Sequence, residues 1–527
     1  MQAMFSPTLV HEYLSLSAER FPEKDALICD KHCWTYKSIE QCSDKLASVL
    51  VGEMGLRRQN RVVIFMDNSA ESVIALYGIL KAGGVFVILE SSIKAKKLNY
   101  ILRDSGANIL ITHVNKARVV REAIDNLQNS CRMIWFGDSS TIPEKLISGS
   151  LFWDDIFLDS GFLDDSFKKV NRCLDIDLAS LIYTSGSTGE SKGVMSSHLN
   201  IVSAAQSIIK YLENGPNDII LSTLPLSFDY GLYQVIMSIM FGGTVILESF
   251  LYPIRIVELL EKERVTGFPI VPTIAALLLK LRNLKEHDFS SLRYITNTAA
   301  ILPVEHVRRL RKLFPHVRIY SMYGLTECKR VSYLPPEEID GRPSSVGKAM
   351  PNCEVFILDG NGREVSPGEI GELVVRGGNV MQGYWNNYEV TTAMFRQGHY
   401  PGDRLLYTGD LFKRDEDGFL YFIGRKDEMI KCRGERVYPR EIENVLCEMR
   451  GISEAAVIGV PDEILGQSVK AFILCAPDAC ITKKEILKYC NITLESYKIP
   501  KYIEFVQDLP RTPNGKIDKK SLKHKET

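Results

Sequence analysis

Long apolar runs are missing from this 527-residue chain. The longest, 235–247, is interrupted by Ser238, Gly242, Gly243 and Thr244 and falls short of the ~20 residues a membrane-spanning helix needs. No basic, apolar, small-residue series of an export signal opens the sequence. An excess of one charge is missing too: 64 Lys and Arg stand against 65 Asp and Glu, a formal net charge of −1. That balance gives no global field to recruit nucleic acid or an anionic membrane. The 12 cysteines contain no Cys-x-x-Cys pair. Their nearest spacings, Cys29/Cys33 and Cys475/Cys480, have no histidines at zinc-finger distances. In a chain this large with no export signal a disulfide framework is not expected, and the cysteines read as small buried hydrophobes. Internal repeats, low-complexity tracts and long linkers are absent as well. Together these absences predict a soluble, cytoplasmic protein with no membrane span and no nucleic-acid partner.

What is present is an ordinary globular composition, 45% apolar and 24% charged, in a chain long enough for two to four domains. The first half alternates strand-like and helix-like segments. Residues 61–66 read as a strand, 70–82 as a helix, 84–89 as an apolar run, 95–104 as a helix and 107–112 as a strand. Gly83-Gly84 and Ser105-Gly106 punctuate them. Repeated βα units predict parallel sheets covered by helices, with ligands at the carboxyl ends of strands. Beyond about residue 425 the texture changes to a charged stretch and then a smaller α+β unit. That unit has helices at 439–449 and 483–490 and strands at 455–460, 470–475 and 502–506. The division expected is a body at 1–424, a hinge at 425–430 and a small domain at 431–527.

Residues 183–194, Tyr-Thr-Ser-Gly-Ser-Thr-Gly-Glu-Ser-Lys-Gly-Val, read as a loop just after the strand-like pair Leu181-Ile182 and carry the strongest chemical signal. A triphosphate needs many close donors and leaves little room for side chains. Gly186, Gly189 and Gly193 allow backbone approach. Thr184, Ser185, Ser187 and Thr188 add hydroxyls, and Lys192 adds a full charge. A flexible Gly/Ser surface loop has similar composition, but the apolar pair Leu181-Ile182 and the single lysine favour an anion site. The arrangement is not the Gly-x-x-x-x-Gly-Lys-Ser/Thr loop, so a P-loop ATPase or kinase has no support.

Four further motifs follow. Tyr323-Gly324-Leu325-Thr326-Glu327 offers a planar ring, a close backbone approach, a phosphate-bonding hydroxyl and an oxygen ligand for Mg²⁺. Tyr407-Thr408-Gly409-Asp410 and Gly424-Arg425-Lys426-Asp427 read by themselves as a turn and a solvated charge cluster. Pro510-Arg511-Thr512-Pro513-Asn514-Gly515-Lys516 presents Lys516 on a tight turn.

In this order the motifs resemble the adenylate-forming superfamily of acyl-CoA synthetases, luciferase and nonribosomal peptide adenylation enzymes, over nearly the whole chain. The resemblance implies an α/β fold, with a large body of two βαβ-type sheets plus a distorted β-barrel and a mobile C-terminal α+β lid. It implies ATP and Mg²⁺ and an acyl-adenylate passed to the thiol of CoA or phosphopantetheine. By position, Thr184 to Gly189 and Lys192 would hold phosphates, with Thr184 and Lys192 also aiding the chemistry. Thr298, Ala299, Tyr323, Gly324 and Thr326 would border the adenylate, Glu327 would hold the metal, and Asp410 and Arg425 would hold the ribose. Asp427 would be the hinge and Lys516 the catalytic cation of the first half-reaction. Two departures are visible: Ser191 replaces a common proline, and Asn297-Thr298-Ala299-Ala300 replaces glycines.

The substrate segment is a hybrid. Ser227-Phe228-Asp229 matches amino-acid-activating relatives, in which the aspartate binds the substrate ammonium. Tyr230-Gly231-Leu232 matches acyl-CoA synthetases, with Phe228 in place of their histidine. Two readings stand: Asp229 meets an ammonium, or it caps the helix that follows and the pocket takes a fatty or aromatic acid against Phe228 and Tyr230. The ammonium reading is preferred, since a buried acid needs a partner. It implies an amino acid and, as acceptor, a separate carrier protein. The rival from another class is an inactive nucleotide-binding homologue, which gives no physical reason for Lys192, Glu327, Asp410, Arg425 and Lys516 to occur together.

Overall fold

The computed structural model describes residues 7–125, 131–138, 140, 142, 146, 149–158, 172–185, 191–248, 252–281, 284–298, 300, 302–432, 435–462, 466–476, 479, 481–512 and 516–524. Two large sheets build the body. In the seven-stranded sheet the order is Leu151–Phe152, Arg132–Phe136, Ile109–His113, Arg61–Phe65, Val85–Ile88, Leu178–Ser185 and Ser191–Ser197. In the nine-stranded sheet, Ile219–Ser222, Thr244–Leu247, Gly267–Ile270, Tyr294–Asn297 and Arg318–Tyr323 run parallel. The expected βα alternation is present, and the helices Ala70–Lys81 and Ala95–Ser105 match the periodicity within a residue or two.

Helices Ala70–Lys81 and Asp229–Phe241 are buried almost all round, as expected for helices enclosed by other layers. One apolar core joins them to residues from both sheets, among them Ile64, Ile111, Ile220 and Ile295. The opposite face of the seven-stranded sheet (Val63, Phe65, Leu110) is covered by Leu98, Ile101, Leu102 and Val120 of two amphipathic helices.

The third sheet is antiparallel: Cys353–Leu358, Gly371–Gly377, Arg404–Arg414 and Phe395–Gln397, with Leu420–Arg425 on Arg404–Arg414. It stands where a barrel is expected, and its pairing path is open among the described residues. A fourth sheet joins Glu435–Val437, Ile430–Cys432, Gly466–Cys475, Ile452–Asp462 and Tyr502–Val506. Helices Pro439–Glu448 and Lys483–Thr493 pack on it, with a separate core that includes Ile442, Leu446, Val457, Ile473 and Ile486.

One expectation is corrected here. The 183–194 stretch, read as a loop after a short strand, is largely a β-hairpin. Tyr183, Thr184 and Ser185 pair antiparallel with Gly193, Lys192 and Ser191, leaving only 186–190 between the strands. Gly and Ser composition suggested a loop, but strand pairing satisfies their backbone groups equally well. Gly193 also packs closely: a Cβ there would lie 3.1 Å from the Tyr183 ring.

Candidate active site

The parallel strands of the nine-stranded sheet set the site. Just beyond Ile219–Ser222, Tyr294–Asn297 and Arg318–Tyr323 come 224–230, Thr298 and 324–330, at the edge where such sheets bind ligands. Asn68 fastens the first segment by donating to Leu224 O (2.9 Å) and accepting from Leu226 N (2.9 Å). The helix Asp229–Phe241 then starts so close to this segment that a Cβ on Gly231 would lie 2.4 Å from Pro225 O. Tyr230 donates to Thr296 O (2.9 Å), joining the helix to the strand Tyr294–Asn297.

Beyond Tyr323 the chain turns back sharply. Val331 N donates to Tyr323 O (2.9 Å), and a Cβ on Gly324 would lie 2.2 Å from Lys329 O. Gly324 therefore makes room for this chain's own backbone, in addition to the ligand approach expected of it. The turn carries half-buried Thr326 and Glu327. Tyr384 donates to Glu327 Oε1 (2.6 Å), and Lys192 Nζ lies 5.8 Å from the centre of the Tyr384 ring. Glu327 and Lys192 thus share a neighbour although 135 positions separate them.

The ribose candidates also meet. Asp410 and Arg425 are opposite each other on paired strands and form a 2.9 Å ion pair. Tyr323 donates to the other Asp410 oxygen, while its ring packs on Phe412 and Phe422. Burial pushes the Asp410 carboxyl up and outweighs Arg425, Tyr323 and Lys516, which favour its charged form. Lys516 is therefore electrostatically coupled to Asp410 from the C-terminal unit. It sits on a narrow hairpin closed by Thr512 N to Lys516 O (2.7 Å) and anchored by Arg511 on Glu454 (2.7 Å). Asp427 is 3.3 Å from Arg425.

Asp229 is not the cap. Phe228 occupies that position without a side-chain hydrogen bond, and Asp229 lies in the first helical turn, where a carboxylate still favours the helix dipole. Its partner is internal: Lys329 Nζ is 3.5 Å away, and its side chain is 1% exposed. Phe228 and Tyr230 stand edge to face. Gly186, Ser187, Thr188, Gly189 and Ala299 lie outside the described residues, as does the Ser185 side chain.

Several contributors escaped the sequence reading: Tyr384, Asn379, Lys329 and Arg330. Buried Asn379 donates to Cys328 O (2.9 Å) and Arg330 O (2.6 Å), fixing the turn after Glu327. Its signal was the Gly377-Gly378-Asn379 series, whose glycines promise a special backbone. Lys329 and Arg330 directly follow the Tyr-Gly-Leu-Thr-Glu motif, but charged neighbours ordinarily read as solvated.

These residues fit a nucleotide and its metal in different ways. Asp410 presents a buried carboxylate at the paired strands, suited to hydroxyl donors. No cluster of three or more His, Cys, Asp or Glu among the described residues encloses a cation. A metal would therefore rest on Glu327 and on phosphate oxygens, the usual manner of Mg²⁺.

The fold and this arrangement define the class of enzymes that activate carboxylates on AMP. The profile of the AMP-binding enzyme family matches residues 14–385, and that of its C-terminal domain matches 441–516. A long-chain-fatty-acid–CoA ligase of Bacillus subtilis is 31% identical, with 98% of this chain and 94% of that protein aligned. Gramicidin S synthase 2 of Brevibacillus brevis is 29% identical over 98% of this chain, which corresponds to 11% of that protein. ATP-bound MatB from Rhodopseudomonas palustris superimposes with a TM-score of 0.88 at 27% identity, covering 99% of each chain. The chain belongs to the AMP-binding enzyme family. It is an AMP-forming acid–thiol ligase, of a family that uses ATP and a CoA thiol. No helix among the described residues is long and apolar enough to cross a membrane.

Proposed function

We propose that the chain joins a small carboxylic acid to CoA in two half-reactions at one site. The acid's oxygen attacks the α-phosphate of ATP, pyrophosphate leaves, and a thiol then displaces AMP from the acyl-adenylate. The observation that carries this reading is the convergence of Glu327, Lys192, Asp410, Arg425 and Lys516, drawn from three sheets and the C-terminal unit.

Lys192 stabilises the departing pyrophosphate. Thr184 and Ser185, with the glycines and hydroxyls of 186–189, supply donors to the phosphates. Thr298, Ala299, Tyr323, Gly324 and Thr326 border the nucleotide, and Asp410 and Arg425 hold the ribose. Glu327 would hold Mg²⁺, which would supply charge neutralisation at the phosphates. Lys516 acts on charge that builds between carboxylate and α-phosphate, a role for a preorganised cation. Residues 1–424 form the body and 431–527 a lid that turns about 425–430, with Asp427 at the pivot. That turn withdraws Lys516 and brings the 432–438 region toward the thiol, as closures that order reaction steps do elsewhere.

CoA is favoured as acceptor because the Bacillus subtilis ligase aligns along almost its full length. A separate carrier protein's phosphopantetheine arm presents the same thiol and is the second acceptor to assay. The ammonium role of Asp229 loses its physical motive, since Lys329 already supplies the cation. The deciding assay is acid-dependent exchange of labelled pyrophosphate into ATP, followed by thioester formation with CoA or a loaded carrier. Absence of exchange across a broad panel of acids, with ATP still bound, would favour the inactive nucleotide-binding homologue.

A further inference from the structure

Two cations are buried where the substrate segment meets the turn after Glu327. Lys329 is 2% exposed and Arg330 1%. Lys329 also takes a left-handed backbone, φ +53°, which a lysine adopts only when its surroundings impose it. The turn drives both side chains inward beneath the helix Asp229–Phe241.

Their fates differ. Lys329 has Asp229 at 3.5 Å and the Tyr233 ring at 4.2 Å. Arg330 lies 5.2 Å from the centre of the Tyr230 ring, coupled electrostatically to Tyr211 and Tyr233 as well. No carboxylate among the described residues pairs with it. Its Nε and Nη1 atoms are buried without acceptors, and so is the Tyr233 hydroxyl. A guanidinium cannot shed its proton to escape burial. Asp229 lies against Lys329, so among the described residues the Arg330 guanidinium is left without a carboxylate at its buried Nε and Nη1 donors. A buried, uncompensated cation is costly, and tyrosine faces offset only part of that cost.

Resting on the ligase reading above, we propose that the acid substrate carries a second carboxylate, distal to the reacting one, and that Arg330 with the Tyr233 hydroxyl receives it. Tyr230 joins the two ends of such a substrate: its ring faces Arg330, and its hydroxyl binds Thr296, two residues before Thr298 at the adenylate border. Lys329 and Asp229 are positioning residues that hold the turn and helix around the guanidinium. The substrate class is thus a dicarboxylic acid, activated at one end and recognised at the other.

The test is pyrophosphate exchange with aliphatic and aromatic dicarboxylic acids of graded length, each beside its monomethyl ester and the matching monoacid. At least one diacid is expected to exceed its ester by about 10²-fold or more in kcat/KM, the discrimination of a site whose donors would otherwise stay unpaired. Arg330→Met should erase that preference, Arg330→Lys should retain part of it, and ligand-free Arg330→Met should melt no lower than the wild type. Equal use of diacids and esters by the wild type overturns the proposal, as does a preference that survives in Arg330→Met. A collapsed Arg330→Met fold overturns it too, by making the arginine structural. Calorimetry with diacid and AMP decides independently of turnover. Binding lost in Arg330→Met supports the second-carboxylate site even if no acid gives exchange, an outcome that would sink only the ligase reading. No diacid binding at all counts against the site itself.

Discussion

Lys329 shows how burial makes a single residue sensitive to pH. Desolvation lowers its pKa from 10.5 to about 7, against the pull of Asp229. Between those values the unfolded chain holds a proton that the native state has lost. Stability should therefore rise with pH across this window, by up to about 1.4 kcal/mol per pH unit. Below about 7 both states are protonated and the burial cost is fully present. Denaturation followed against pH should show the slope in the wild type and lose it in Asp229→Asn/Lys329→Met, where the pair is removed together. Tyr384 gives a second test at this scale. Tyr384→Phe frees Glu327 Oε1, and exchange activity or apparent Mg²⁺ affinity should fall about 10–100-fold, as when an outer partner of a metal ligand is removed. An unchanged Mg²⁺ titration would rule out Glu327 as the metal residue. Both residues were illegible in the sequence for one reason. Their roles arise from contacts made across the fold, Tyr384 to Glu327 across 57 positions and Lys329 to a helix 100 positions earlier. Asp410, Arg425 and Lys516 were legible as candidates, because their motifs keep the family's spacing, and Asp410 and Arg425 do meet.

At the scale of elements, helix starts and turns do the positioning. Gly231→Ala forces the helix away from Pro225 O and should cost about 1–3 kcal/mol of stability, an overpacking penalty. Thermal melting checks this, and wild-type stability would show that the helix start yields. The 511–517 hairpin carries the catalytic claim. Lys516→Ala should slow adenylation by about 10²–10³ while sparing thioester formation from a synthetic acyl-adenylate. Equal loss in both halves would mean that Lys516 does not leave the site between them. The helices and parallel strands were readable from periodicity, because burial on one face or both is written into apolar spacing. The 178–197 hairpin was not, because Gly and Ser hide strand pairing that a partner chain segment decides.

For the whole molecule, Lys519 ties the proposed 425–430 hinge to the C-terminal unit. Lys519 bonds Glu443 of the helix Pro439–Glu448 at 2.7 Å and Glu428, just beyond the strand Leu420–Arg425, at 3.3 Å. In the proposed lid rotation Glu443 travels with the lysine, whereas Glu428 lies inside the proposed 425–430 hinge, one residue past Asp427. If the proposed hinge twist carries Glu428 away from Lys519, the pair would act as a detent, released before the second half-reaction and regained before the next first one. The two rates would then be set against each other through this ion pair. Weakening it in Glu428→Gln should speed thioester formation from preformed adenylate and slow adenylation, a reciprocal change that ordinary loss of stability would not produce.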